Sequence, residues 1–144
     1  EVTTEGGLAV ANSCQYLQEY VKPIAENGTR ISLFIEADEP QISASKAVGA
    51  DIVEFHVGKY SELLEQNEIS LAHVEFERYE HMSKLAKEMG LEVHFGHGIT
   101  YQSAKALSKI AQVEEMNIGH FLIGEAIYYG LEAVITKMKK AINE

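Results

Sequence analysis

Val93-His94-Phe95-Gly96-His97-Gly98-Ile99-Thr100 reads as a strand, a tight turn and the start of a helix. A short run of strand formers stops at Gly-His-Gly, and Thr100 opens a segment with helical spacing. Glycines on both sides of a histidine let the backbone approach a ligand and leave its N–H groups free. A helix start just behind them favours an anion. The same chemistry recurs in Asn117-Ile118-Gly119-His120-Phe121-Leu122-Ile123-Gly124. Two neighbouring strand ends, each presenting glycine and histidine, point to a phosphate and a proton donor.

Outward from this stretch, strands and helices alternate. Glu1 to Gly7 reads as a loop. Cys14, Leu17, Val21 and Ile24 share one face of a helix expected over 8–27, which Pro23 should kink or shorten. Asn27-Gly28 stops it. Arg30 to Ile35 is a short strand, and Asp38 with Gln41 resembles a capping box opening a helix that ends at Gly49. Asp51 to His56 is the next strand. Tyr60 to Met89 is helical by composition and acidic, with Met82, Leu85, Ala86 and Met89 on one face. After the strand Leu91 to Phe95, a helix from Tyr101 to Ala111 turns Ala104, Leu107 and Ala111 inward. A strand is expected over 118–123. Leu131, Val134, Ile135, Met138 and Ile142 then mark an amphipathic helix.

A helix followed by four strand–helix units implies parallel strands joined by right-handed crossovers. The strands are short and nearly all apolar, as expected when both sheet faces are covered. Two architectures fit: a small open α/β sheet, or part of a (β/α)8 barrel. Composition does not separate them. No linker or low-complexity segment interrupts the pattern.

The 144 residues suffice for one domain with a core, and 46% are apolar, which excludes a disordered chain. No apolar run approaches the roughly 20 residues of a membrane span. The first residues lack the basic and apolar regions of a signal peptide. Cys14 has no partner for an internal disulfide, which suits a reducing cytoplasm. The net charge of -10 argues against nucleic acid and anionic membranes. It also poses a puzzle for a phosphate ligand, because only Arg30 and Arg78 carry guanidinium groups. Backbone N–H groups, helix ends or basic residues on another piece of chain must hold the anion.

In parallel α/β folds the ligand sits at the C-terminal strand ends. Glu36, Glu54, His56, His97 and the Gly119–His120 pair gather there. Glu54 interrupts an otherwise apolar strand, and a carboxylate there is costly unless partnered or used. His56 lies two residues on, hence on the same face; it either orients Glu54 or caps the strand. His97, between two glycines, is better placed for chemistry than for packing. His94 is three residues earlier, so alternation points it to the opposite face as a packing histidine. His73 and His81 belong to the acidic helix and are expected in solvent. The histidines lack zinc spacing, so no metal site is expected, and Cys14 on an apolar helix face is not a nucleophile. Gly124 to Gly130 has the length for the short phosphate-binding turn of barrels, or these glycines simply make tight turns.

Glu1-Val2-Thr3-Thr4-Glu5-Gly6-Gly7, Ser32-Leu33-Phe34-Ile35-Glu36-Ala37-Asp38, Val53-Glu54-Phe55-His56, Gly96-His97-Gly98-Ile99-Thr100 and Asn117-Ile118-Gly119-His120 stand out together. These motifs resemble those of the pyridoxine 5'-phosphate synthase family. They occur in the family's order at similar spacing over nearly the whole chain. The resemblance implies a (β/α)8 TIM barrel of roughly 250 residues, of which this chain would be the C-terminal part, about the last four units. It implies condensation of 1-deoxy-D-xylulose 5-phosphate with 3-amino-2-oxopropyl phosphate to pyridoxine 5'-phosphate, phosphate and water, without metal or organic cofactor. By the same resemblance Thr3 contacts the deoxyxylulose phosphate and Glu54 stabilises charged intermediates. His97 is the general acid, and Gly98, Gly119 and His120 cradle the amino-ketone phosphate. The family's other catalytic pair, a histidine and a glutamate on early strands, has no counterpart here, and the arginines that resolve the charge puzzle belong to those units. His94-Phe95 and Ser103 depart mildly from the family pattern. A cytoplasmic homo-oligomer is implied for the complete protein. A non-catalytic half-barrel that binds phosphate or associates, and another phosphate-binding barrel enzyme, remain as alternatives. A Schiff-base aldolase is disfavoured because no lysine ends a strand.

Overall fold

A computed structural model describes residues 6–144. Thr3 therefore lies outside the described residues. Four strands, β1 (Ser32–Ile35), β2 (Ile52–His56), β3 (Glu92–Gly96) and β4 (Val113–Asn117), pair in parallel in the order β1-β2-β3-β4. A 3-10 turn (Val10–Asn12) and α1 (Cys14–Glu26) precede them. The connections and C-terminal part carry α2 (Glu39–Val48), α3 (Gly58–Glu65), α4 (Ile69–Glu88), α5 (Tyr101–Leu107), α6 (His120–Tyr129) and α7 (Leu131–Asn143).

Because each strand pairs with the next in sequence, right-handed crossovers all wind the same way and lay their helices on one face of the sheet. The side chains agree. Leu33, Ile35, Val53, Phe55, Val93 and Phe95 alternate onto one face, and each is at most 7% exposed. They join the helix residues Val21, Ile42, Ala86, Leu107 and Met138 in a single core. The other face is polar. In register across it stand Phe34, Glu54, His94 and Glu115, and above them His56, Gly96 and Asn117. The expectation of two covered, apolar faces is corrected here. The polar residues are too few to break the apolar look of each strand, but a period of two gathers them on one side.

Four further expectations change. The apolar run 118–123 is not a strand: β4 is the more polar Val113–Asn117, and most of the run forms the start of α6. A short apolar run fits either state, and β4, at the sheet edge, has little burial to demand an apolar sequence. The span from Tyr60 to Met89 is two helices, broken where Asn67 adopts φ 59°. Ala104 and Leu107 turn inward as expected, but α5 ends at Leu107 and the next buried residue is Ile110, while Ala111 is exposed. Along α1, Leu17 and Val21 are buried but Ile24 is exposed, and the helix continues past Pro23 to Glu26. The caps were read correctly in position. Asp38 accepts from Gln41 N at 2.9 Å, and Gly49 closes α2 at φ 93°.

Candidate active site at the strand ends

The C-terminal ends of β2, β3 and β4 open onto one hollow of about 680 Å³. Glu54, His97, Gly98, Gly119 and His120 all line it, with Phe34, Thr100 and Asn117. Its size suits a small organic ligand.

Glu54 rises from the middle of β2. Its Oε2 accepts from Asn117 Nδ2 at 2.7 Å, a bond that spans β3. The passage exists because Gly96 intervenes: a Cβ there would lie 1.8 Å from Glu54 Oε1. Burial pushes the Glu54 carboxyl above its ordinary value, and the Asn117 hydrogen bond and His94 pull against that rise.

His97 follows β3 at φ 66°, a conformation rare and costly for a residue with a side chain. Gly98 is also left-handed, at φ 71°, and its Cβ position falls 2.7 Å from Gly58 Cα. The turn after β3 thus lies directly on the turn after β2, where no larger residues fit. The His97 ring stacks on His56 with centroids 4.7 Å apart. His56 Nδ1 stands 3.4 Å from Glu36 Oε1. His56 therefore partners Glu36 and His97, and Glu54 takes Asn117. The possibility that His56 orients Glu54 is not realised.

His94 does not point to the opposite face. It pairs across the sheet with Glu54, is 6% exposed, and faces Glu92 at 2.7 Å and Glu115 at 3.6 Å. His97 leaves the strand in a left-handed turn, so counting alternation from it misassigned His94. It is nevertheless a satisfied histidine, as expected.

The two helix starts differ. At α5, Thr100 and Ser103 cap each other: Ser103 Oγ accepts from Thr100 N at 2.8 Å, and Thr100 Oγ1 accepts from Ser103 N at 3.4 Å. At α6, Gly119 is the N-cap and no side chain accepts from the first turn. A Cβ on Gly119 would meet nothing within 4 Å, and its φ is -113°, so neither the fold nor the described neighbours require glycine there. The first turn of α6, at Gly119–His120, is thus the helix start without a side-chain cap. Gly124 falls inside α6, so 124–129 is helix, closed by Gly130 at φ 80°, and no separate phosphate-binding turn forms. Neither arginine reaches the hollow. Arg30 pairs with Glu92, and Arg78 binds Glu75 and the Ala37 carbonyl.

The whole chain, residues 1–144, matches the family model described as pyridoxal phosphate biosynthesis protein PdxJ. The chain belongs to the PdxJ family. Curated PdxJ relatives carry the name pyridoxine 5'-phosphate synthase. The protein from Sulfurihydrogenibium sp. is 45% identical over 142 residues, 99% of this chain and 57% of the relative. That from Zymomonas mobilis is 46% identical over 139 residues, 96% of this chain and 53% of the relative. That from Aquifex aeolicus is 43% identical over 145 residues, 99% of this chain and 60% of the relative. The chain thus spans little more than half the length of its PdxJ relatives.

Within this PdxJ chain, sequence reasoning missed Asn117, Gly96 and Gly58. Asn117 was hidden by the misplaced fourth strand. Gly96 and Gly58 were visible as turn glycines, but their function is to leave space for side chains on a neighbouring strand end. Only the register reveals that.

Proposed function

We propose that the chain forms the C-terminal portion of a single (β/α)8 barrel domain. On this reading the full-length protein is a pyridoxine 5'-phosphate synthase. It condenses 1-deoxy-D-xylulose 5-phosphate with 3-amino-2-oxopropyl phosphate, releasing phosphate and water. The observation that carries this reading is the convergence of Glu54, His97, Gly98, Gly119 and His120 on one hollow at the ends of consecutive parallel strands. Sequential strand order with helices on one face supports an arc of a barrel over a doubly wound sheet.

In this mechanism the uncapped start of α6 receives the amino-ketone phosphate through Gly119 and His120, with Gly98 closing the cradle. His97 donates protons as leaving groups depart. Glu54 stabilises cationic intermediates, its orientation fixed by Asn117. Thr3 contacts the deoxyxylulose phosphate. Glu54, Glu62 and Glu65 line the hollow without a described lysine or arginine, so the cations that balance two phosphates come from the preceding barrel units. A cytoplasmic homo-oligomer completes the proposal. Among the described residues no helix is long and apolar enough to cross a membrane.

The test is ring closure by the full-length protein carrying His97→Asn. Loss of a positioned general acid lowers turnover by about 10² to 10⁴. Wild-type turnover in that variant would remove His97 from the mechanism.

A further inference from the structure

We infer that His56 is a positioning residue for His97: its ring backs the His97 imidazole and aims it into the hollow, while Glu36 secures His56 from the far side. The inference deepens the proposed role of His97 and rests on it for its effect on turnover.

The need comes from His97 itself. It sits between two glycines in a left-handed turn and is exposed. Among the described residues no side-chain hydrogen bond holds its ring. A proton donor free to swing spends little time in a reactive pose, so another contact must orient it. Packing supplies that contact. The two imidazoles stack at 4.7 Å and 28°. Phe34 meets both rings, edge-on to His56 at 5.5 Å and tilted to His97 at 6.4 Å. Gly58 closes the remaining side: a Cβ there would lie 3.0 Å from His97 Cδ2 and 3.2 Å from His56 Cε1. The pair is thus walled by an aromatic ring and by a backbone where an added methyl group would crowd both imidazoles.

Four charged or titratable groups face His56: Glu36 beyond β1, Glu62 on α3, Arg78 on α4 and His97 beyond β3. Burial lowers the affinity of His56 for a proton, Glu36 opposes this, and His97 adds to it. A neutral His56 can stack on His97 in either charge state of the latter without two like charges meeting. With Glu36 Oε1 facing Nδ1 at 3.4 Å, the single proton of neutral His56 belongs on Nδ1. The contact is longer than a good hydrogen bond, and such contacts tighten when substrate closes a site.

The experiment uses the full-length protein labelled at histidine, with His56→Ala, His56→Phe and Glu36→Gln. His97→Asn identifies the His97 ring resonances. His56→Ala is expected to lower kcat by about tenfold to 10²-fold, the range expected of a misplaced catalytic group, and to shift the His97 ring resonances. KM is expected to stay within about twofold, because ground-state binding is untouched. His56→Phe keeps a flat ring and should recover most of kcat and of the stacked resonance position. A merely structural His56 would lower Tm in both variants without this split or recovery. Wild-type kcat with unmoved His97 resonances in His56→Ala overturns the inference. Should that variant not fold, Glu36→Gln decides: a His56 tautomer and a kcat both unchanged overturn it equally. Wild-type turnover in His97→Asn would sink the acid role alone, and the resonances would still decide whether His56 positions the ring.

Discussion

A methyl group on Gly96 would put its carbon 1.8 Å from Glu54 Oε1, so Gly96→Ala must drive the carboxylate from its bond to Asn117. We expect a cost of about 1–3 kcal/mol in chemical denaturation and a loss of turnover larger than that cost explains. Unchanged turnover of the full-length protein would count against the proposed role of Glu54. Glu54 also makes a pH prediction. Burial raises its folded-state pKa above the unfolded value, with Asn117 and His94 opposing. Between those two values the folded state binds the extra proton, so stability falls as pH rises through that window. Glu54→Gln should therefore raise Tm near neutral pH and flatten that stretch of the stability curve, while lowering turnover; a Tm at or below wild type refutes this. Asn117→Ala removes a bond that favours the carboxylate, so the limb of the pH–rate profile set by Glu54 should move to higher pH. Individual residues were readable where the signal was local. Glu54 stood out as a charge in an apolar strand, and His97 as a histidine between glycines. Asn117 and Gly96 act across strands, and the pairing of β3 with β4 slips at Val93/His94, a register irregularity that local composition does not encode.

The connections between elements have their own vulnerable points. Arg78 on α4 reaches the Ala37 carbonyl at 2.8 Å and holds Glu75, which Lys59 on α3 also contacts at 2.7 Å. Burial raises the Glu75 carboxyl, but the hydrogen bonds from Lys59 and Arg78 outweigh it and hold the pKa below the ordinary value. The stability this supplies is present above the unfolded pKa and fades as pH falls through the lowered one. Arg78→Leu removes two of the bonds to a carboxylate that is 7% exposed and frees the loop after β1. Breaking such a pair costs about 3–5 kcal/mol when the partner is fully buried, and a partly solvated Arg78 places the expected loss below that range, measured by urea unfolding. A loss under experimental error would show the brace to be idle. Capping and turn residues made the ends of α2 and the start of α5 readable, since Asp38, Gly49 and Thr100 act within a few residues. The boundary of β4 was not, because an edge strand carries no demand for apolar residues and the next helix does.

The molecule as a whole has one sheet face buried under helices and one polar face, an asymmetry that composition alone left open. Its outer surface is uneven. Ile123, Ile127, Tyr128 and Tyr129 on α6 are 60–81% exposed, beside Leu131 at the start of α7. They lie next in sequence to β4, which has no partner on its outer side among the described residues. Such apolar surface beside an open sheet edge favours association. Expressed by itself, the 144-residue chain should elute above its 16.0 kDa mass in light-scattering chromatography. The full-length protein should protect the same α6 amides from hydrogen exchange. A lone, stable 16.0 kDa particle would contradict the barrel reading. Strand order equal to chain order has a temporal consequence as well. Each strand finds its neighbour already made, so a chain emerging from the ribosome can add one unit to the last with short loop closures. This chain's share of the pocket, which draws on residues from Phe34 to Phe121, takes shape only when the fourth strand and the helix behind it arrive. No shorter nascent stretch of this sequence brings those lining residues together.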